Sequence, residues 1–96
     1  MTSKQRAFLR GQANGMDPIL HAGKGGIGDA MVKQADDALT ARELIKGRVL
    51  ETAPETAREL AEALAAATRA EVVQVIGRTF VLYRRNEKEP KIHLPK

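Results

Sequence analysis

The stretch Pro18-Ile19-Leu20-His21-Ala22-Gly23-Lys24-Gly25-Gly26-Ile27-Gly28-Asp29-Ala30-Met31 decides the reading of this chain. Pro18 to Ala22 forms a short extended apolar run, read as a strand. Four glycines and a lysine follow, between Gly23 and Gly28. A helix then begins near Ile27-Gly28-Asp29 and runs to about Ala41. Its Ile27, Ala30, Met31, Gln34, Ala35, Ala38 and Leu39 recur at i, i+3, i+4 and i+7. Strand, glycine loop and helix in that order are one unit of an α/β layer. Glycines let the backbone approach a ligand closely, and the start of the next helix offers unpaired N–H groups and partial positive charge. The combination predicts an anion site suited to a phosphate.

Working outward, Thr2 or Ser3 can cap a first helix running to about Ala13. Its few apolar positions are Ala7, Phe8 and Ala13, and Asn14-Gly15 stops it. Downstream, Glu43 to Leu50 reads as a strand. Ile45 and Val49 share one face, and Lys46 and Arg48 share the other with Leu44 and Leu50. Gly47 within it marks a bulge or a close backbone approach. Ala53-Pro54-Glu55 opens a third helix, with Ala57, Leu60, Ala61, Leu64 and Thr68 as its buried stripe. Val72 to Ile76 and Thr79 to Tyr83 read as a hairpin, turned by Gly77-Arg78 with glycine first, as a type II′ turn prefers. Ile92-His93-Leu94 is a candidate edge strand. The order α-β-α-β-α-β-β predicts an α/β (α+β) two-layer sandwich: a small mixed four-stranded sheet with its helices mainly on one face. The whole chain, residues 1–96, is expected to form one domain with a basic tail from about residue 85.

Composition narrows the function classes. The 96 residues hold 16 Lys and Arg against 12 Asp and Glu, a net charge of +4, and no cysteine. Disulfide, thiol and Cys-zinc chemistry are thereby excluded. His21 and His93 stand far apart, so no metal site is expected. No apolar run approaches the roughly 20 residues needed to span a membrane, and the N-terminus lacks a signal peptide's apolar stretch. A cytoplasmic protein, monomeric and without membrane contact, is the expectation. The positive charge is clustered: Lys4, Arg6 and Arg10; Arg42, Lys46 and Arg48; and the C-terminal group beginning at Arg78, Arg84 and Arg85. Glu51, Glu55, Glu59, Glu62 and Glu71 lie between the last two groups, so a basic and an acidic face can separate.

Nothing in the chain fits a catalytic centre or a cofactor. A P-loop needs GxxxxGK[ST], whereas Lys24 sits inside the loop with no hydroxyl residue after it. A dinucleotide fold needs a longer βαβ context and an acidic residue on a second strand. Asp36 and Asp37 are adjacent on a helix and face different directions. Ser3 is the sole serine and has no plausible histidine partner. The phosphate is therefore assigned to a nucleic-acid backbone, and no enzymatic activity is expected. Phe8 and Phe80 are expected in the core, which leaves no aromatic platform for stacking bases. No recognition helix for duplex DNA appears. A protein-interaction module docking through the alanine-rich third helix is the alternative.

Several blocks resemble those of the YhbY-type proteins and the wider CRM domain (chloroplast RNA splicing and ribosome maturation). They are Ser3-Lys4-Gln5-Arg6-Ala7-Phe8-Leu9-Arg10, Pro18-Ile19, Gly23-Lys24-Gly25-Gly26, Ala38-Leu39, Glu43-Leu44-Ile45-Lys46, Val73-Gln74-Val75-Ile76-Gly77-Arg78 and Leu82-Tyr83-Arg84. They occur in the family's order across nearly the whole chain. The resemblance implies an RNA-binding domain with a fold similar to the C-terminal domain of translation initiation factor three. It also implies ribosomal RNA, in precursors of the large ribosomal subunit, as the partner. By the same resemblance, the family's GxxG loop falls on Gly23, Lys24, Gly25 and Gly26, and its basic helix on Lys4, Arg6 and Arg10. Lys46, Arg48, Arg78 and Arg84 widen the expected basic surface. The amides of Gly25, Gly26 and Ile27 are expected to donate to phosphate oxygens. Where the family carries a Leu-Thr or Leu-Ser pair after the loop, Ile27-Gly28-Asp29 stands here, leaving Gly28 or Asp29 to cap the helix.

Overall fold

The computed structural model describes residues 1–95. Helix α1 (Ser3–Ala13) starts at a reciprocal cap. The Thr2 hydroxyl accepts from the Gln5 N–H at 3.1 Å, and the Gln5 side-chain oxygen accepts from the Thr2 N–H at 3.0 Å. The helix buries Leu9 and Ala13, one turn apart. Phe8, expected in the core, is 36% exposed, and Ala7 is exposed as well. Neighbouring helix positions point about 100° apart, so choosing Leu9 as the inward residue turns Phe8 out.

Strand β1 (Leu20–Ala22) is shorter than the apolar run suggests, although the Ile19 N–H already donates to the Lys46 carbonyl at 2.8 Å. Helix α2 (Asp29–Arg42) leads to β2 (Leu44–Val49). Helix α3 (Ala57–Thr68) begins at Thr56, three residues later than expected. Thr56 and Glu59 form a second reciprocal cap at 3.1 and 2.9 Å, which leaves Pro54 and Glu55 in the bend that precedes the helix. The whole expected stripe, Ala57, Leu60, Ala61, Leu64 and Thr68, is buried. Strands β3 (Glu71–Ile76) and β4 (Thr79–Tyr83) form the hairpin. Gly77 has φ 57 while Arg78 is not among the positive-φ residues, as a type II′ turn requires.

Among the described residues, the strands form one sheet of order β1-β2-β4-β3, with β1 parallel to β2 and the other pairs antiparallel. Helices α2 and α3 pack on one face, against Leu20, Ala22, Ile45, Val49, Phe80 and Leu82. Helix α1 crosses the other face, where Leu9 and Ala13 meet Leu44, Val73, Val81 and Tyr83. The mixed four-stranded α+β architecture is thus the expected one, with two helices on one face and the third on the opposite face.

Gly47 makes the close approach allowed for it. It lies opposite Phe80 in the β2–β4 register, and the Phe80 ring lies across the space a side chain would fill. The bulge lies in β3 instead, between Val72 and Gln74. Ile92 to Leu94 do not form a strand. Ile92 and Leu94 pack, half-buried, on α1's face of the sheet, with the Ile92 N–H held by the carboxylate of Glu43, while His93 is exposed. No helix among the described residues is long and apolar enough to cross a membrane.

Candidate nucleic-acid interface

The topology gathers the glycine loop and part of the basic set at one end of the sheet. Because β2 parallels β1, Arg48 and Val49 end beside His21 and Ala22. Because β4 runs back against β2, Thr79 lies opposite Arg48, which brings in the Gly77–Arg78 turn. The Val49 N–H donates to the Arg78 carbonyl at 2.7 Å, and the Leu50 N–H to that of Ala22 at 2.8 Å. The N-termini of α2 and α3 stand at this same end, since the strand after each begins at the other.

Within the loop, the Gly26 N–H donates to the Gly23 carbonyl at 2.9 Å and closes a tight turn over Gly23–Gly26. Gly26 has φ 63, a conformation that favours glycine. The Ile27 N–H donates to Oε2 of Glu55 at 3.3 Å. Two of the three amides expected to face phosphate are therefore engaged inside the protein. The Lys24 and Gly25 amides have no partner among the described residues, and both residues are exposed. Gly28 is the N-cap of α2 and contributes no side-chain hydrogen bond, so the helix starts without the hydroxyl common in the family.

The basic residues divide by what they touch. Lys24, Arg48 and Arg78 are exposed at the loop end. Arg48 and Arg78 line one shallow depression with Leu50 and Glu51, and Arg78 lies 3.6 Å from Glu51 in an open ion pair. Such a pair contributes little to stability and can exchange partners. His21, paired with Arg48 in the register, adds an exposed imidazole that sequence reasoning passed over. Strand alternation was the available signal, because it places both side chains on the α1 side of the sheet.

Lys4 and Arg10 are exposed on α1, away from the α2–α3 layer. The remaining three fasten elements together. Arg6 donates from Nη1 to the carbonyls of Val72 and Val73 across the β3 bulge. Lys46 donates to the Ala13 carbonyl at 3.4 Å, at the end of α1. Arg84 lies at the opposite end of the sheet from the loop. Its guanidinium bonds Asp36, Thr40 and the Thr68 carbonyl, joining α2, α3 and the end of β4. Charge counting along the chain does not show these internal partners. Acidic residues on α3 lie on the sheet face opposite Lys4 and Arg10, where Glu62 pairs with Arg58 at 3.8 Å. The apolar stripe of α3 is spent on the sheet, leaving Arg58, Glu62, Ala63, Ala66 and Ala67 exposed.

Glu55 is the residue that sequence reasoning missed at this end. Read as a first-turn helix acid, it stands ahead of the helix and reaches the loop. The signal was available in Thr56-x-x-Glu59, which marks Thr56 as the cap and so leaves Glu55 outside the helix.

Comparison with known proteins agrees with this architecture. Residues 1–84 match the CRS1/YhbY (CRM) domain. The chain is 46% identical over 95 residues to the "Probable RNA-binding protein YqeI" of Bacillus subtilis, covering 99% of both chains. It is 36% identical over 96 residues to an RNA-binding protein of Haemophilus influenzae, covering 100% of this chain and 96% of that one. The solution structure of the hypothetical protein SAV1595 of Staphylococcus aureus, a candidate RNA-binding protein, superposes with a TM-score of 0.81 at 49% identity, covering 99% of each chain. The match along residues 1–84, together with relatives of nearly equal length and a shared fold, places this chain in the CRS1/YhbY (CRM) domain family.

Proposed function

We propose that this protein binds RNA through the loop end of its sheet, and that the RNA is ribosomal, in precursors of the large ribosomal subunit. The observation that carries the reading is the convergence of the Gly23–Gly26 turn with Lys24, Arg48 and Arg78. The Gly25 amide and the Lys24 ammonium receive a backbone phosphate. Arg48 and Arg78 take its neighbours, and Lys4 and Arg10 extend the track across α1. Arg6, Lys46 and Arg84 act by holding the elements that carry this surface. The RNA-binding names of the relatives support the class of ligand, and the family resemblance supports the ribosomal precursor. Charge and shape dominate recognition, since the contacts are to phosphate rather than to base edges.

Five phosphate contacts, one each from Lys4, Arg10, Lys24, Arg48 and Arg78, set the expected salt response. At a slope of about −0.7 per contact on single strands, affinity falls roughly a hundredfold between about 50 and 200 mM salt. Fluorescence anisotropy with ribosomal RNA fragments across that series measures it. A response close to flat contradicts the reading.

A further inference from the structure

We propose that Glu55 occupies the anion position of the glycine loop in the free protein and is displaced by an RNA phosphate on binding. The proposal rests on the RNA-binding reading above. Glu55 Oε2 accepts the Ile27 N–H at 3.3 Å, and a Cβ built on Gly26 would stand 2.6 and 2.9 Å from the two carboxylate oxygens. The carboxylate thus lies directly against the turn that receives phosphate. Only a glycine at this position leaves room for it.

Two features make this contact exchangeable rather than a permanent staple. The hydrogen bond is long for one to a charged acceptor, which ordinarily closes to about 2.7–2.9 Å. Glu55 Oε1 is buried with no hydrogen-bond partner among the described residues. A buried carboxylate oxygen without a donor is costly, and the ion pairs among the described residues include neither Glu55 nor Lys24. A phosphate entering beside Lys24 supplies acceptor oxygens for the Ile27 and Gly25 amides. It also releases Glu55 to water, where both of its oxygens are solvated. The carboxylate therefore sets a threshold: an isolated, weakly held anion does not displace it, while a backbone phosphate whose neighbours are held by Arg48, Arg78 or α1 does.

The test compares Glu55→Gln with Asp29→Asn. Asp29 is an exposed acid in the first turn of α2 that makes no side-chain hydrogen bond to the loop among the described residues. Glu55→Gln keeps the shape and a carbonyl acceptor but loses the charge. It is expected to bind a ribosomal RNA fragment about tenfold tighter, the step from a charge-assisted to a neutral hydrogen bond. Asp29→Asn, a general charge effect, is expected to gain less than threefold. Saturating RNA is expected to shift the wild-type Ile27 amide resonance strongly as its acceptor changes.

Equal or weaker binding by Glu55→Gln, or a gain no larger than that of Asp29→Asn, overturns the proposal and makes Glu55 a structural tie. Should Glu55→Gln fold poorly, the wild-type Ile27 resonance decides alone, and its staying in place under RNA overturns the proposal. A Lys24→Asp, Gly25→Asp variant that binds as wild type does removes the RNA reading of the loop itself, an outcome separate from the failure of the exchange.

Discussion

Replacing Gly47 by alanine destabilises the protein by about 3 kcal/mol, at the upper end of what overpacking a core costs. A Cβ at this position meets Phe80 Cζ at 2.2 Å and both neighbouring ring carbons at 2.7 Å. Neither partner can yield. Phe80 is 1% exposed on the central strand β4, and Gly47 is paired on both sides, with Leu20 and with Phe80. For a domain of this size the change lowers the midpoint of thermal unfolding by roughly 15 °C, read by circular dichroism. Phe80→Leu in the same chain relieves the clash, so the double variant is expected to be more stable than Gly47→Ala alone. If Gly47→Ala melts within a few degrees of wild type, the ring does not hold the place described for it.

Glu43→Ala frees the C-terminal tail and costs about 2–3 kcal/mol, the scale of a hydrogen-bonded charge removed from the interior. Glu43 is fully buried at the C-terminal cap of α2, with φ 65. Its carboxylate accepts the N–H groups of Asn86 and Ile92, each at 2.8 Å, and that of Lys91. The chain beyond β4 is thereby wrapped so that Ile92 and Leu94 cover α1's face of the sheet.

Burial pushes the Glu43 carboxyl up. The three backbone donors and the Arg85 charge push it down and prevail, leaving it below the ordinary value of 4.5. A carboxyl lowered by folding stabilises the native state above its unfolded value. That contribution is lost as pH falls through the folded value. Wild type is therefore expected to lose stability, and to expose its tail to protease, as pH drops below about 4.5. Glu43→Gln starts weaker and varies less over that window. Tyr83, the sole tyrosine in a chain without tryptophan, is buried beside this tail and serves as the fluorescent reporter. A tail equally protected in Glu43→Ala and wild type contradicts this role.

The elements that the sequence specifies locally were legible. The i, i+3, i+4 stripe of α3, the alternation of β2 and the glycine-first hairpin turn each depend on residues a few positions apart. They appear in the structure as read. What was not legible depends on partners distant in the chain. Leu9 rather than Phe8 turns inward because Val73, Val81 and Tyr83 lie beneath α1, and a helix this polar does not declare its face by itself. The docked tail depends on a glutamate more than forty residues upstream, and nothing near Asn86 or Ile92 announces it.

The candidate site divides in the same way. The Gly23–Gly26 turn and its lysine were visible as a motif. Arg84 looked equivalent to Arg48 in sequence, yet it lies at the far end of the sheet, bonded to Asp36 and Thr40. Glu55 was invisible as a loop contact because its reach depends on how α3 approaches the start of α2.

The central proposal, that the glycine loop receives an RNA phosphate, is tested most directly by the Lys24→Asp, Gly25→Asp double variant against ribosomal RNA. Lys24 is exposed and nothing lies within 4 Å of a Cβ built on Gly25, so the protein is expected to fold with unchanged thermal stability. Affinity in low salt is expected to fall by more than about thirtyfold, from one lost phosphate contact and two introduced negative charges. Binding equal to wild type by a fully folded variant would contradict the account and reduce the loop to a turn between β1 and α2.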